Sequence, residues 1–137
     1  MRNRIGALVV ASALITSCGA THPNVTNGSV SVCFRAIPVA KAAVHESQAR
    51  LVGVHRLAVD TVRSKLPPSV SAELTAENDH VVCAVAFKGT FAPGQVDQAP
   101  PGDHGTYAVV LVSSRHLRLV DSFVLDSLPK AFGKRTI

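Results

Sequence analysis

The chain has 137 residues, with 14 basic and 9 acidic side chains among 47% hydrophobic and 17% charged residues. That balance excludes an intrinsically disordered chain and suits one compact domain rather than several. Without Arg2 and Arg4, 12 basic residues stand against 9 acidic ones, a net charge of +3. No basic run accompanies it, which argues against a nucleic-acid partner.

Arg2 and Arg4 precede an apolar stretch, Ile5 to Leu14. A spanning helix needs about 20 apolar residues, so this stretch reads as the core of a cleaved signal peptide. It ends in Ile15-Thr16-Ser17-Cys18. That run of aliphatic, small, small and cysteine resembles the lipobox of bacterial lipoproteins. The resemblance covers residues 1–18. It implies that the Cys18 thiol receives a diacylglycerol, that cleavage falls between Ser17 and Cys18, and that the new N-terminus is acylated as well. Two or more acyl chains, at about 0.8 kcal/mol per buried CH₂, give a stable anchor where one is marginal. The expected organisation is a signal peptide over 1–17, a lipidated cysteine with a flexible tether over 18–28, and one α+β domain over 29–137.

The tether is small and polar, with Pro23, Asn24, Asn27 and Gly28. Val30, Val32 and Phe34 alternate with polar residues, which predicts a strand from Val30 to Arg35. Pro38 suits the first turn of a helix. Good helix formers continue to Leu66, with Val44, Leu51, Ala58, Val62 and Leu66 as an apolar stripe. Gly53 within that run marks a bend or close packing, and Pro67-Pro68 ends it. Val70, Ala72 and Leu74 alternate as a half-exposed strand. Glu77-Asn78-Asp79 supplies a turn. His80 to Lys88 is a strongly apolar strand, and Gly89 to Gly105 a proline- and glycine-rich loop. Thr106 to Val112 is a further strand, Ser113-Ser114-Arg115-His116 a hairpin turn, Leu117 to Leu125 the returning strand, and Ser127 to Phe132 a terminal turn.

The expected fold class is therefore α+β: one long helix on a mostly antiparallel sheet of four to five strands, in the order β-α-β-β-β-β. That order is similar to cystatin-like folds. The Gln-x-Val-x-Gly motif of the cystatins is missing from Leu74 to Asp79, so protease inhibition does not carry over.

Cys33 and Cys83 remain once Cys18 is assigned to the anchor. Outside the cytoplasm an isolated pair is most simply a disulfide. It closes a loop of about 51 residues, worth roughly 4 kcal/mol in the chain-entropy model. The strand assignments conflict with it. With Val30, Val32 and Phe34 facing the helix, Cys33 points away, whereas Cys83 shares its face with Val81, Val85 and Phe87. Only a bulge or a different face brings the two together.

Chemistry has little local support. Of the six histidines, His45 and His55 lie on different faces of a helix, about 1,000° apart. There is no His-x-x-x-His. His80, His116 and Asp79 come closest to a metal cluster, against the simpler reading of histidines exposed at strand ends. Ser113, Ser114, His116 and Asp121 hold the ingredients of a hydrolase triad, but triads are defined by geometry and no nucleophile elbow is present. We expect no metal, no cofactor and no enzymatic activity.

Two surfaces are better candidates. Loops beyond about 12–15 residues are usually functional or disordered. The 89–105 loop offers Phe91, Gln95, Val96, Asp97 and Gln98 to a partner. The second surface is the sheet face with Val82, Ala84, Ala86, Ala108, Val110 and Val112, which one helix leaves bare. Its cover is the terminal segment, a second copy of the chain, a partner protein or an apolar ligand. The expected role is that of a membrane-anchored envelope lipoprotein on the extracytoplasmic face, with a non-catalytic binding or structural function. Its partner is an envelope protein or a second copy near the membrane. The alternatives are a carrier of lipid or another apolar molecule and, less well supported, a metal-dependent or hydrolytic enzyme.

Overall fold

The computed structural model describes residues 32–133. Cys18, with the signal peptide expected over 1–17 and the tether expected over 18–28, lies outside them. A helical turn over residues 32–34 leads into α1 (Ile37–Ala42), with Pro38 in its first turn. β1 (Arg50–Ala58) runs into α2 (Val59–Val62), a 3₁₀ turn (Arg63–Lys65) and α3 (Pro68–Ala76). β2 (Val81–Phe91), β3 (Gly105–Ser113) and β4 (Leu119–Leu125) follow, and α4 (Lys130–Gly133) comes last. The four strands form one antiparallel sheet in the order β1-β2-β3-β4. No helix among the described residues is long and apolar enough to cross a membrane.

The α+β class and the antiparallel meander match the sequence expectation; the long helix does not. Residues 39–66 divide into α1, β1, α2 and the 3₁₀ turn, so the cystatin-like order is lost. The β-branched Val52 and Val54 and the intervening Gly53 weaken helix in the middle of that run. As a strand the segment pairs along β2 from Arg50↔Lys88 to Ala58↔Val81. The expected stripe is dispersed: Leu51 is exposed, Val44 packs on one side of the sheet, and Val62 and Leu66 pack on the other.

Two strand expectations become helix. Around Cys33, the deciding pattern is the burial of Cys33, Ala36, Ala40 and Ala43. Their spacing of three or four residues makes one helical face. Val30/Val32/Phe34 alternation misleads there, since residues 32–34 are helical and Phe34 is exposed. At 70–74, Pro68 occupies the first turn of α3, where its fixed φ is preorganised for helix. Leu74 and Ser71 are buried three apart, with Val70 partly buried beside them.

The helical placement of Cys33 also removes the conflict over faces. Cys33 and Cys83 form a disulfide, with Cα atoms 5.2 Å apart. Small side chains at 36, 40 and 43 let the helix approach the sheet closely.

Register sorts the strand residues. Val85↔Val110 and Cys83↔Val112 put Cys83, Val85, Phe87, Ala108, Val110 and Val112 on one face. Ala84↔Leu111 and Ala86↔Val109 put Val82, Ala84, Ala86, Val109 and Leu111 on the other. Ala108, Val110 and Val112 therefore do not share a face with Val82, Ala84 and Ala86, contrary to expectation. α1 covers the first face. Val59, Leu66 and Leu74 cover the second, joined by Leu128 and Phe132. The cover of the second face is thus intramolecular. Gly53 admits it at the β1 end: a Cβ there would lie 3.0 Å from Phe132 Cδ1. The Phe132 ring meets His55 edge-on, centroids 4.5 Å apart.

Candidate docking cleft

The 89–105 segment is anchored along its first half. β2 extends into it as far as Phe91, which is 2% exposed. Val96 is 4% exposed and bridges to Val44. Two backbone bonds fix it against the end of α1: His45 N–H donates to the Gln95 carbonyl at 2.8 Å, and Asp97 N–H to the Ala43 carbonyl at 2.9 Å. Gln95 turns inward on its own loop, its Oε1 accepting from Ala92 N–H at 2.9 Å. His45 Nε2 and Asp97 Oδ1 are 2.8 Å apart at the surface. Gln98 is exposed at φ 61°, in the left-handed region. Of the five residues singled out from sequence, Phe91 and Val96 serve the core and Gln95 the loop. Asp97 and Gln98 face outward.

A cleft of about 190 Å³ opens beside this anchored loop. Val44, Ala49 and Phe87 supply its apolar lining. Lys41, His45, Glu46 and Ser47 supply the polar part. The turn that carries them is shaped by Glu46, whose Oε1 accepts from Gln48 N–H at 2.8 Å. Gly89 lets this turn lie close to β2: a Cβ there would sit 3.3 Å from Glu46 Cγ and 3.5 Å from Ala49 Cα. Small-molecule sites usually span about 300–1,000 Å³. This cleft suits a single side chain, with charges of both signs around it. Sequence reading missed it because residues 45–49 were placed inside a helix.

The residues weighed for catalysis take part in hydrogen bonds within the fold. Asp79 is buried, and its carboxylate accepts a short bond from the Ser113 hydroxyl. It also accepts from Ser114 Oγ and from Val81 N–H, each at 3.4 Å. Ser113 Oγ in turn accepts from His116 N–H at 3.1 Å. Ser113 is fully buried, and its hydroxyl proton is directed at a carboxylate rather than an imidazole. His80 pairs with Asn78 Oδ1 at 2.7 Å. Asp121 sits opposite Leu111 on the second sheet face and accepts from Ser122 N–H at 2.9 Å. Among the described residues no three His, Cys, Asp or Glu side chains converge as metal ligands. The Asp79–Ser113 bond ties the α3–β2 connection to the β3–β4 turn.

Arg118 makes a second tie, meeting Glu73 at 3.2 Å and Glu77 at 2.5 Å. The hydrogen bond to Glu77 raises the Arg118 pKa most; burial opposes it, and the charges of both glutamates add to it. Glu73 and Glu77, four apart on one helical face, were the available sequence signal. Among the described residues no cation pairs with Asp121, and burial pushes its carboxyl above the usual range, against the Ser122 N–H bond.

Comparison with protein-family models, curated proteins and solved structures returns no match to this chain.

Proposed function

We propose that this chain is a lipid-anchored envelope protein with a non-catalytic binding role, docking a partner protein through the Lys41–Ala49 cleft and the neighbouring face of the 92–104 loop. The observation that carries the reading is the cleft itself. It is an apolar-lined depression with a mixed-charge rim, of a size for one inserted side chain. Such depressions accept the aromatic or aliphatic anchors that dominate protein interfaces.

The address rests on the Ile15–Cys18 lipobox, which explains the third cysteine, and the buried Cys33–Cys83 disulfide supports an oxidising compartment. The carrier alternative is less well supported: both sheet faces are packed with the chain's own side chains, and the cleft is small for a lipid. The second sheet face, once a candidate for homodimer contact, has an intramolecular cover.

A photo-crosslinking side chain at Ser47, introduced in the native envelope, tests the site. A discrete protein adduct is expected from Ser47 and none from Asp60, which is exposed elsewhere. Equal labelling from both positions rejects the cleft. Cys18→Ala with membrane fractionation tests the address separately: a mutant as mature and as membrane-bound as the parent rejects the anchor.

A further inference from the structure

Arg50 and Lys88 stand directly opposite each other in the β1–β2 register. Their side chains therefore leave the same face of the sheet, and both residues are exposed. Opposed like charges destabilise a sheet. None of the ion pairs among the described residues involves either one. Lys88 is also opposite Tyr107 on β3, with Nζ 6.0 Å from the ring centroid. The next two residues of β1 are apolar and open to solvent, Leu51 at 44% and Val52 at 39% exposure. The register slip between Leu51 and Gly53 accounts for Val52, which has no partner opposite it on β2.

We propose that the exposed edge at this end of β1 is a contact site for an anionic phospholipid surface, met edge-on, with Arg50 and Lys88 reaching headgroup phosphates from one face of the sheet and Leu51, which leaves the other face opposite Phe87, entering the headgroup–acyl boundary with Val52. Two cations that join no ion pair among the described residues attract a phosphate-bearing surface, and binding relieves their mutual repulsion. Adjacent exposed apolar side chains gain burial in the interface, which a purely ionic partner does not provide. A nucleic-acid duplex is a poorer fit, because it favours a longer basic track and leaves Leu51 and Val52 in water. The proposal builds on the lipid anchor, which holds the domain beside such a surface; the contact then sets the domain's orientation there.

The test uses the chain from residue 18 onward with Cys18→Ser, so that no acyl chain contributes, in flotation with lipid vesicles. Binding to phosphatidylglycerol vesicles is expected to exceed binding to phosphatidylcholine vesicles. It should vanish in about 1 M salt, where the screening length falls to about 3 Å. Arg50→Gln with Lys88→Gln should weaken it about thirty-fold. Leu51→Ser with Val52→Ser should weaken it while keeping its salt dependence. The charge variant should melt at or above the parental temperature, since it removes a repulsion. Equal binding to both vesicle types overturns the proposal, as does unchanged binding of the charge variant. Tighter binding to a DNA duplex or to polyglutamate than to the anionic vesicles also overturns it. Because the probe lacks the acyl chain, failure of the Cys18 anchor leaves this readout intact.

Discussion

The two faces of the sheet are covered by different means. On one, a helix of small side chains lies close to the strands and is stapled to β2 through Cys33–Cys83. On the other, short helical segments and the turns between them insert larger side chains, Leu66, Leu74 and Phe132 among them. There Arg118 and Asp79 hold the α3 region to the β3–β4 hairpin by ionic and hydrogen-bonded contacts. Alanine helices bury little area per residue, so a covalent link contributes what packing alone does not. The second cover has larger apolar side chains to pack, and its polar ties join it to the β3–β4 hairpin.

The largest effect should come from the staple. Cys33→Ala with Cys83→Ala should cost about 4 kcal/mol in chemical denaturation, from the loop entropy it releases. A loss below about 1 kcal/mol would mean that the alanine helix holds without its link. Next, Leu74→Ala should cost about 3 kcal/mol, since the side chain is fully buried and its removal leaves a cavity. If the cysteine variant loses its protection from hydrogen exchange in α1 alone and Leu74→Ala loses it in α3 alone, the two covers are independent. Loss in both helices from either change would show one cooperative unit.

Smaller effects test the polar ties. Arg118→Gln should cost about 1 kcal/mol or less, because the side chain is a third exposed and solvent screens the pair. High salt should shrink that difference; a salt-independent cost would point to packing instead.

The smallest change has the opposite sign. Burial raises the Asp121 pKa, so folding favours its protonated form. The stability it contributes is present in full below the ordinary carboxylate range and is lost as pH rises through the raised value. Asp121→Asn should therefore raise the melting temperature at neutral pH, with its Oδ1 still able to accept from Ser122 N–H. That gain should fade as pH drops below about 4. A pH-independent difference would argue against desolvation as the cause.

The central strands were legible because their cue is local. Val81 to Phe87 and Tyr107 to Val112 are apolar at nearly every position, as strands buried on both faces must be. The Ser113–His116 turn between β3 and β4 was equally plain. β1 was not legible, because it is an edge strand. Its residues alternate between exposed and half-buried without a clean period, and its structure comes from hydrogen bonds to β2, whose paired residues lie 23 to 38 positions away in the chain. α3 could have been read from Pro68 and the Val70–Leu74 spacing, which competed with an equally visible alternation. In the loop, composition pointed to exposure, yet Phe91 and Val96 turn inward because the hydrophobic gap beside α1 lies within reach.

Cysteine count, an apolar stretch followed by Ile15-Thr16-Ser17-Cys18 and the apolar runs of β2 to β4 were determined by the sequence itself. From them came the disulfide pairing, the proposed address and the antiparallel core. Tertiary structure alone decided that residues 50–58 are a strand, that the second sheet face is covered from within, and that Arg50 meets Lys88. Local patterns record which residues avoid water, but pairing register and face assignment depend on the distant segment that fills the opposite side.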